Sequence, residues 1–309
     1  MLRKIAIVGG NGFVGRHVIE QAVQRGIEAL GVVRSDEGEA LVRGVGGASL
    51  RVNSLEASAT ASLVPALSGC DGLVYTAAVT TGVKGADRTD ATGLGNVLRA
   101  AREAGVRRAV VFSGLGIAHY GMNEHCTNPY FLAKMAGEVA AFRSGVPVTV
   151  FRPSYIFGLG DEFLSPLLRR MSDTSDIEIP GNGHYRLQPI SVEDAARACV
   201  GAIADDDGEP HQVVDLVGPE VISYRNLLLR IVSILKRPMA IRERPVAEAL
   251  EIARADGYWG LRPHDLACLL CDETSEPAPV EALVGGSLDS VHVMIQRTVE
   301  GLRRTGVAV

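Results

Sequence analysis

Tyr130 and Lys134 stand four residues apart in the stretch NPYFLAK, residues 128–134. Asn128 is a capping residue and Pro129 a first-turn proline, so the stretch predicts a helix start, and on a helix the two side chains share one face. A phenol titrates near ~10 and is a poor acid or base at neutral pH until a nearby cation favours its phenolate. Lys134 supplies that cation, and the helix N-terminus adds to it. Such a pair can protonate or deprotonate an oxygen while hydride moves at the adjoining carbon. Any amphipathic helix can carry a tyrosine and a lysine at this spacing, so the pair gains meaning only beside a source of hydride.

That source is implied by GGNGFVG, residues 9–15. The run Ile5, Ala6, Ile7, Val8 precedes it, and Phe13, Val14, Val18, Ile19 and Ala22 follow at helical spacing. The glycines read as Gly10-x-Gly12-x-x-Gly15 or as Gly9-x-x-Gly12-x-x-Gly15. In both frames a strand ends, a turn without Cβ atoms lets a pyrophosphate approach the backbone, and the next helix offers its N–H groups and positive end. A dinucleotide is expected against Gly9, Gly12, Phe13, Val14 and Gly15. The next strand, EALGVV (28–33), ends in Arg34, Ser35 and Asp36. A cation there suits a 2′-phosphate and a carboxylate suits a ribose 2′-hydroxyl. Arg34 favours NADP(H), and Asp36 keeps NAD(H) open.

These residues need a scaffold of alternating strands and helices, and the chain has one. Apolar, β-branched runs at 4–9, 28–33, 49–52, 72–78, 108–114, 148–153 and 212–218 alternate with helix candidates near 13–25, 59–68, 90–104 and 129–144. That pattern predicts an α/β fold, a Rossmann-type doubly wound parallel sheet covered on both faces. After Pro153 the texture changes: FGLGDEF and SDTSDIEIPGNGHYRLQP are polar and loop-rich. Helical patterns resume at 191–204, 223–236, about 245–256, 262–271 and 289–304, with a Pro- and Glu-rich link, TSEPAP, at 274–279. The expected division is a dinucleotide-binding domain at 1–155 plus about 184–218. A smaller, mostly helical C-terminal substrate lobe takes about 156–183 plus 219–309.

Composition narrows the partners. In 309 residues the formal net charge is −5, and no long Lys or Arg run provides a footprint for nucleic acid. No apolar stretch reaches the ~20 residues of a membrane span, and no signal peptide is apparent, so a cytoplasmic location is expected. The five cysteines are scattered. Cys268 and Cys271, in LACLLC, fit helical core positions better than a metal or redox pair, and no metal site is expected. A small molecule is the expected partner.

Taken in order, GGNGFVG, TAA (76–78), DATGLGNVLRAAREAGV (90–106), YFLAK (130–134) and FRPSYIFG (151–158) resemble the extended short-chain dehydrogenase/reductases. FSGLG (112–116) and PSYIFGLGDEFLSPLLRR (153–170) look most like the atypical branch that includes an accessory subunit of respiratory complex I and many proteins named as epimerases. The resemblance covers about 220 residues and fades in the last ~80. It implies the glycines at the pyrophosphate, Arg34 at the adenosine ribose, Asn53 at the adenine edge and Ala77 at the close of the fourth strand. Tyr130 would be the acid/base, and Lys134 would hold the nicotinamide ribose.

Two positions depart from that family. Leu115 stands where a Ser or Thr usually holds the substrate oxygen, and Tyr155 stands where nucleotide-sugar enzymes tend to carry an Asn. Thr80 or Thr81 could replace the missing hydroxyl. His119, with Tyr120 and His125, lies on the loop before the Tyr130 helix, and Arg186 resembles a substrate-lobe position. Trp259 could line an apolar pocket with Tyr155, Phe157 and Phe163. Three functions follow: a carbonyl reductase, a nucleotide-sugar epimerase or dehydratase with retained NAD, and a non-catalytic cofactor-binding module. Relatives often pair through the helices here at 90–104 and 129–144, which implies a homodimer.

Overall fold

Seven of the apolar runs pair into one sheet in the computed structural model, which describes residues 2–60, 62–78, 88–122, 129–205, 209–259, 261, 263–307 and 309. The strands are β1 (Lys4–Val8), β2 (Glu28–Val33), β3 (Ala48–Arg51), β4 (Gly72–Tyr75), β5 (Arg108–Phe112), β6 (Val148–Pro153) and β7 (His211–Leu216). Their spatial order is β3-β2-β1-β4-β5-β6-β7, all parallel, and it reverses between β1 and β4. This is the expected doubly wound sheet, in which ligands bind in the crevice beyond the strands' C-terminal ends where the order reverses.

Alternation along each strand divides its side chains between two cores. On β1, Ile5 and Ile7 enter one cluster and Ala6 and Val8 the other. The first cluster is covered by α1 (Phe13–Gln24) and, further along the chain, by Ala195, Cys199 and Ile203 of the helix Val192–Ala204. The second is covered by Leu94, Val97, Leu98 and Ala101 of the helix Leu94–Glu103, and by Ala141 of the helix Pro129–Phe142. Strands buried on both faces explain why they read as continuous apolar runs.

A third cluster lies outside the sheet, built from Phe157, Leu164, Leu168, Met171 and Ile177 together with Tyr224, Leu228, Leu266, Ile295 and Leu302. Its helices are Leu164–Asp173, Tyr224–Leu235, Val246–Asp256, Pro263–Leu269 and Val291–Arg304. The chain does not pass once from sheet to lobe. The helix Ala278–Val284, which begins within the expected link TSEPAP, returns to the sheet, where Val280 and Val284 join the core beside Cys199 and Ile203.

Three expectations need correction. The helix Asp36–Gly44, not among the expected helices, is capped by Ser35, which accepts from the Gly38 N–H at 3.1 Å, and carries Asp36, Glu37 and Glu39 in its first turn. The stretch SDTSDIEIP, expected as loop, contains the strand Asp176–Pro180, which pairs in parallel with Ala240–Arg244. Ile177 and Ile179 point into the lobe core, and that period-two burial was hidden by the acids between them. The helix expected at 59–68 is two short turns, Ala57–Thr60 and Leu63–Leu67.

The return of the chain to the sheet rests on one close approach. A Cβ at Gly201 would stand 2.0 Å from the Leu283 carbonyl oxygen. Gly201→Ala is expected to push the helix Ala278–Val284 off the sheet and lower stability by about 1–3 kcal/mol. A reduced urea midpoint would register it; an unchanged midpoint would mean that the two helices yield freely.

Candidate active site

The glycine loop lies at the C-terminal end of β1. Gly9 takes φ +85°, and a Cβ there would stand 2.8 Å from the Ala77 nitrogen beyond β4. A Cβ at Gly15 would meet the Gly9 carbonyl oxygen at 2.3 Å. Thr76 fastens the loop from the β4 side, its hydroxyl donating to the Val8 carbonyl at 3.0 Å and the Gly9 carbonyl at 3.2 Å. The helix that follows has Gly12 as its N-cap, with no side-chain cap and no acid in its first turn. Its positive end and first N–H groups, at Phe13, Val14 and Gly15, therefore face no negative side chain of their own helix. A cradle that a Cβ would fill, ahead of an uncapped helix at the point where the strand order reverses, fits a dinucleotide pyrophosphate.

At the end of β2 the two candidate selectors differ. Asp36 is engaged by Arg51 of β3, whereas Arg34 is exposed and forms no ion pair among the described residues. Asn53 is exposed just beyond β3.

Tyr130 and Lys134 share the first turns of the helix Pro129–Phe142, as expected. The Lys134 ammonium stands 5.2 Å from the centroid of the Tyr130 ring and hydrogen-bonds its hydroxyl. It donates to Asp90 Oδ1 at 2.6 Å and reaches the Phe112 carbonyl of β5 at 3.5 Å. Lys134 and Asp90 are both almost fully buried, with side chains 4% and 2% exposed. Lys134 favours the phenolate, as the spacing implied, but it does not act alone. Burial holds the phenol above its ordinary value, Lys134 pulls it down, and Asp90 pushes it up again, so the net direction is upward.

Leu115, in place of the usual hydroxyl, is buried at the start of the turn Leu115–His119. Gly116 lets that turn press on the Tyr130 helix, because a Cβ there would stand 2.3 Å from the Phe131 ring. His119 is half-buried on the same turn. Thr80 and Thr81 lie outside the described residues, as do His125 and Asn128. Ser113, at the end of β5, carries a buried hydroxyl without a partner among the described residues.

On the lobe side, Tyr155 packs against Phe163 at 4.7 Å between ring centroids and Phe163 stacks on Phe157 at 5.9 Å, so these rings are lobe core. Trp259 packs on the same core with the Arg170 guanidinium over its ring at 4.7 Å. The Tyr155 hydroxyl is buried without a partner among the described residues. Arg186 is exposed and held by Asp272 at 2.8 Å. Cys268 packs with Tyr130, Ile117 and Tyr120 around Phe131 and Cys271.

Sequence reasoning missed three groups. Asp90 entered the sequence reading only as the first residue of the segment 90–106, but it is buried within a π-helical turn, Arg88–Gly93, that opens its helix. Ser113 was eclipsed by its neighbour two residues on. Glu273 had no signal at all, being one acid in the polar run DETSE, yet it is buried near Tyr155, with a hydrogen bond to Ser154. Burial raises its carboxyl to about 8. Among the described residues no cluster of His, Cys, Asp and Glu is placed to hold a metal ion, and no helix is long and apolar enough to cross a membrane.

Residues 9–206 match the family model described as NAD(P)H-binding. The chain is similar to a 2-alkyl-3-oxoalkanoate reductase of Stenotrophomonas maltophilia, with 27% identity over 247 residues, covering 69% of this chain and 73% of the relative. It is also similar to a 4-hydroxy-2-methyl-3-oxo-4-farnesyl-3,4-dihydroquinoline-1-oxide ketoreductase of Stigmatella aurantiaca, with 28% identity over 245 residues and coverage of 72% and 71%. Among solved structures its fold is shared by a UDP-glucose 4-epimerase of Thermotoga maritima, with a TM-score of 0.76, 20% identity and coverage of 98% and 99%.

A carboxyl whose folded value lies above its unfolded one stabilises the fold while protonated, and that contribution is lost as pH rises through the folded value. Glu273 is therefore expected to weaken the fold progressively from about pH 5 to about pH 8. Glu273→Gln should flatten this part of the melting-temperature profile; parallel profiles for the two proteins would remove Glu273 as the cause.

Proposed function

Because the chain belongs to the NAD(P)H-binding family, we propose that it is an NAD(P)H-dependent oxidoreductase of the short-chain dehydrogenase/reductase type that reduces a carbonyl of a small, largely apolar metabolite. The observation that carries this reading is the buried Tyr130–Lys134 pair beside β5, at the same sheet edge as the glycine cradle of β1 and β4. Gly9, Gly12 and Gly15 would admit the pyrophosphate, and Lys134 would hold the nicotinamide ribose. When bound, the reduced nicotinamide supplies a hydride with its electron pair to the carbonyl carbon. Tyr130 gives its proton to the carbonyl oxygen as the C=O π bond breaks, and the resulting phenolate lies beside the Lys134 ammonium until solvent returns a proton. Ser113, whose hydroxyl has no partner among the described residues, takes the place of the hydroxyl that Leu115 cannot supply.

NADP(H) is the favoured cofactor. The exposed Arg34 is available to a 2′-phosphate, and Asp36 already neutralises Arg51 instead of waiting for a ribose.

The substrate class follows from the charges around Tyr155. Arg152 is gripped by both oxygens of Glu138, at 2.9 and 2.7 Å, and Arg186 by Asp272. Near Tyr155 stand Glu273 and Asp265, two acids. A nucleotide diphosphate would find acidic side chains where it needs cations, whereas a neutral ketone or a 3-oxoacyl ester needs none. By name, the two reductase relatives support reduction of a carbonyl. A homodimer accords with the apolar stripe Leu132, Met135 and Val139 on the Tyr130 helix, which is 48%, 40% and 49% exposed.

The test begins with parallel fluorescence titrations of NADPH and NADH. NADPH should bind at least about tenfold tighter, and Arg34→Ala should erase the difference, a change of roughly 1.4 kcal/mol. Equal affinities would assign the site to NAD(H). Purified protein should then oxidise NADPH with 3-oxoacyl esters and not with nucleotide diphosphate sugars. Tyr130→Phe keeps the ring and removes the proton, so turnover should fall by about 10²–10⁴ with cofactor affinity unchanged. Activity retained in that variant would move the proton to another group.

A further inference from the structure

The pair at the centre of the site is a trio. Asp90 Oδ1 accepts from Lys134 at 2.6 Å, Lys134 reaches the Tyr130 phenol, and the second Asp90 oxygen is buried with no hydrogen-bond partner among the described residues. Two constructions bring Asp90 there. The π-helical turn Arg88–Gly93 widens the backbone at that point, and Gly137 lets the Tyr130 helix approach so closely that a Cβ would stand 2.4 Å from the Asp90 carbonyl oxygen. Nothing in the cofactor cradle requires either device. Their joint effect is to put a carboxylate directly against the ammonium that touches the phenol.

We propose that Asp90 is a positioning residue that pins the Lys134 ammonium and shares its charge, so that Tyr130 stands in the free protein as a proton donor, poised to protonate a carbonyl rather than to take a proton from an alcohol. The inference rests on the reductase reading and gives it a direction. The groups facing the phenol are Lys134 from its own helix, Asp90 from the π-helical turn and Cys268 from the lobe. Asp90 also faces Tyr75, whose hydroxyl donates to the Thr89 carbonyl at 2.7 Å. Of these, only Lys134 draws the phenol toward ionisation. With Asp90 in place its pull is divided between two partners. Without Asp90 the buried ammonium has one remaining partner that can become an anion, and that partner is Tyr130.

The readout needs no substrate. Tyrosinate absorbance is followed against pH in the intact protein, in Asp90→Asn, in Asp90→Ala and in each combined with Tyr130→Phe. Removing the carboxylate should bring one additional tyrosine into titration at least about one pH unit below its wild-type position. That tyrosine should vanish from the titration when Tyr130→Phe is added. Leaving an unpaired buried charge can prevent folding, which is why two replacements are used; circular dichroism identifies those that fold. A folded variant whose titration overlays wild type overturns the proposal, as does a shifted tyrosine that survives Tyr130→Phe. The function is judged separately: the tyrosine shift without turnover of any 3-oxoacyl ester supports the role of Asp90 and overturns only the reductase reading.

Discussion

A parallel sheet covered by helices on both faces leaves its strand ends as the places where polar groups can gather without disturbing a core. β1 shows the constraint in miniature, since after Lys4 its side chains, Ile5 to Val8, alternate between two apolar clusters. Chemistry is thereby confined to the C-terminal edge, where the strand order reverses between β1 and β4. The glycine cradle, Thr76, Ser113, Arg152 and Ser154 all occur at or just beyond the ends of sheet strands. Helices that start beyond this edge bring their positive ends toward the same crevice, so the scaffold supplies both a concave space and a favourable field for phosphate.

Polar links hold this edge to the lobe. The Ser275 hydroxyl donates to Asp215 of β7 at 2.8 Å, and its N–H donates to Gln188 at 2.9 Å. Gln188 in turn donates to the Gly218 carbonyl at 2.8 Å. The Glu273 N–H bonds the Arg186 carbonyl at 2.9 Å, so the segment that carries the buried acid is fixed as an added backbone pairing. Arg152 connects β6 to the Tyr130 helix through Glu138. Arg152 and Arg186 are thus each consumed in an ion pair that holds elements together.

The sheet was legible because both-face burial writes long apolar runs, and the seven runs named from sequence are the seven strands. The glycine cradle was legible for a related reason: backbone approach leaves a residue type behind, since Gly9 and Gly15 sit where any Cβ would collide. That Tyr130 and Lys134 share one helix face was legible from their spacing. What escaped were groups whose importance lies in burial between elements distant in the chain. Asp90 and Lys134 are 44 positions apart, and only the π-helical turn and Gly137 bring them together. Glu273 is sequestered where its segment pairs with Arg186 and Leu187, and local composition says nothing about that. The upward push on the phenol escaped for the same reason, because desolvation and Asp90 belong to the tertiary structure. The division into domains was drawn at breaks in the pattern, whereas packing interleaves the segments: Val280, Val284 and Leu288 enter the sheet core, and Val291 and Met294 just after them enter the lobe core.

That interleaving has a consequence for how the molecule comes apart. A lobe joined by one crossing can open or melt while its partner remains folded, but here the chain enters the lobe core, returns to the sheet core and re-enters the lobe. Stripping the helix Val291–Arg304 from the lobe pulls on the helix Ala278–Val284, whose loss uncovers part of the sheet. Local unfolding in one core therefore propagates to the other, and the two cores form a single cooperative unit. No single cut in the chain divides them, so the sheet core and the lobe core share one folding equilibrium.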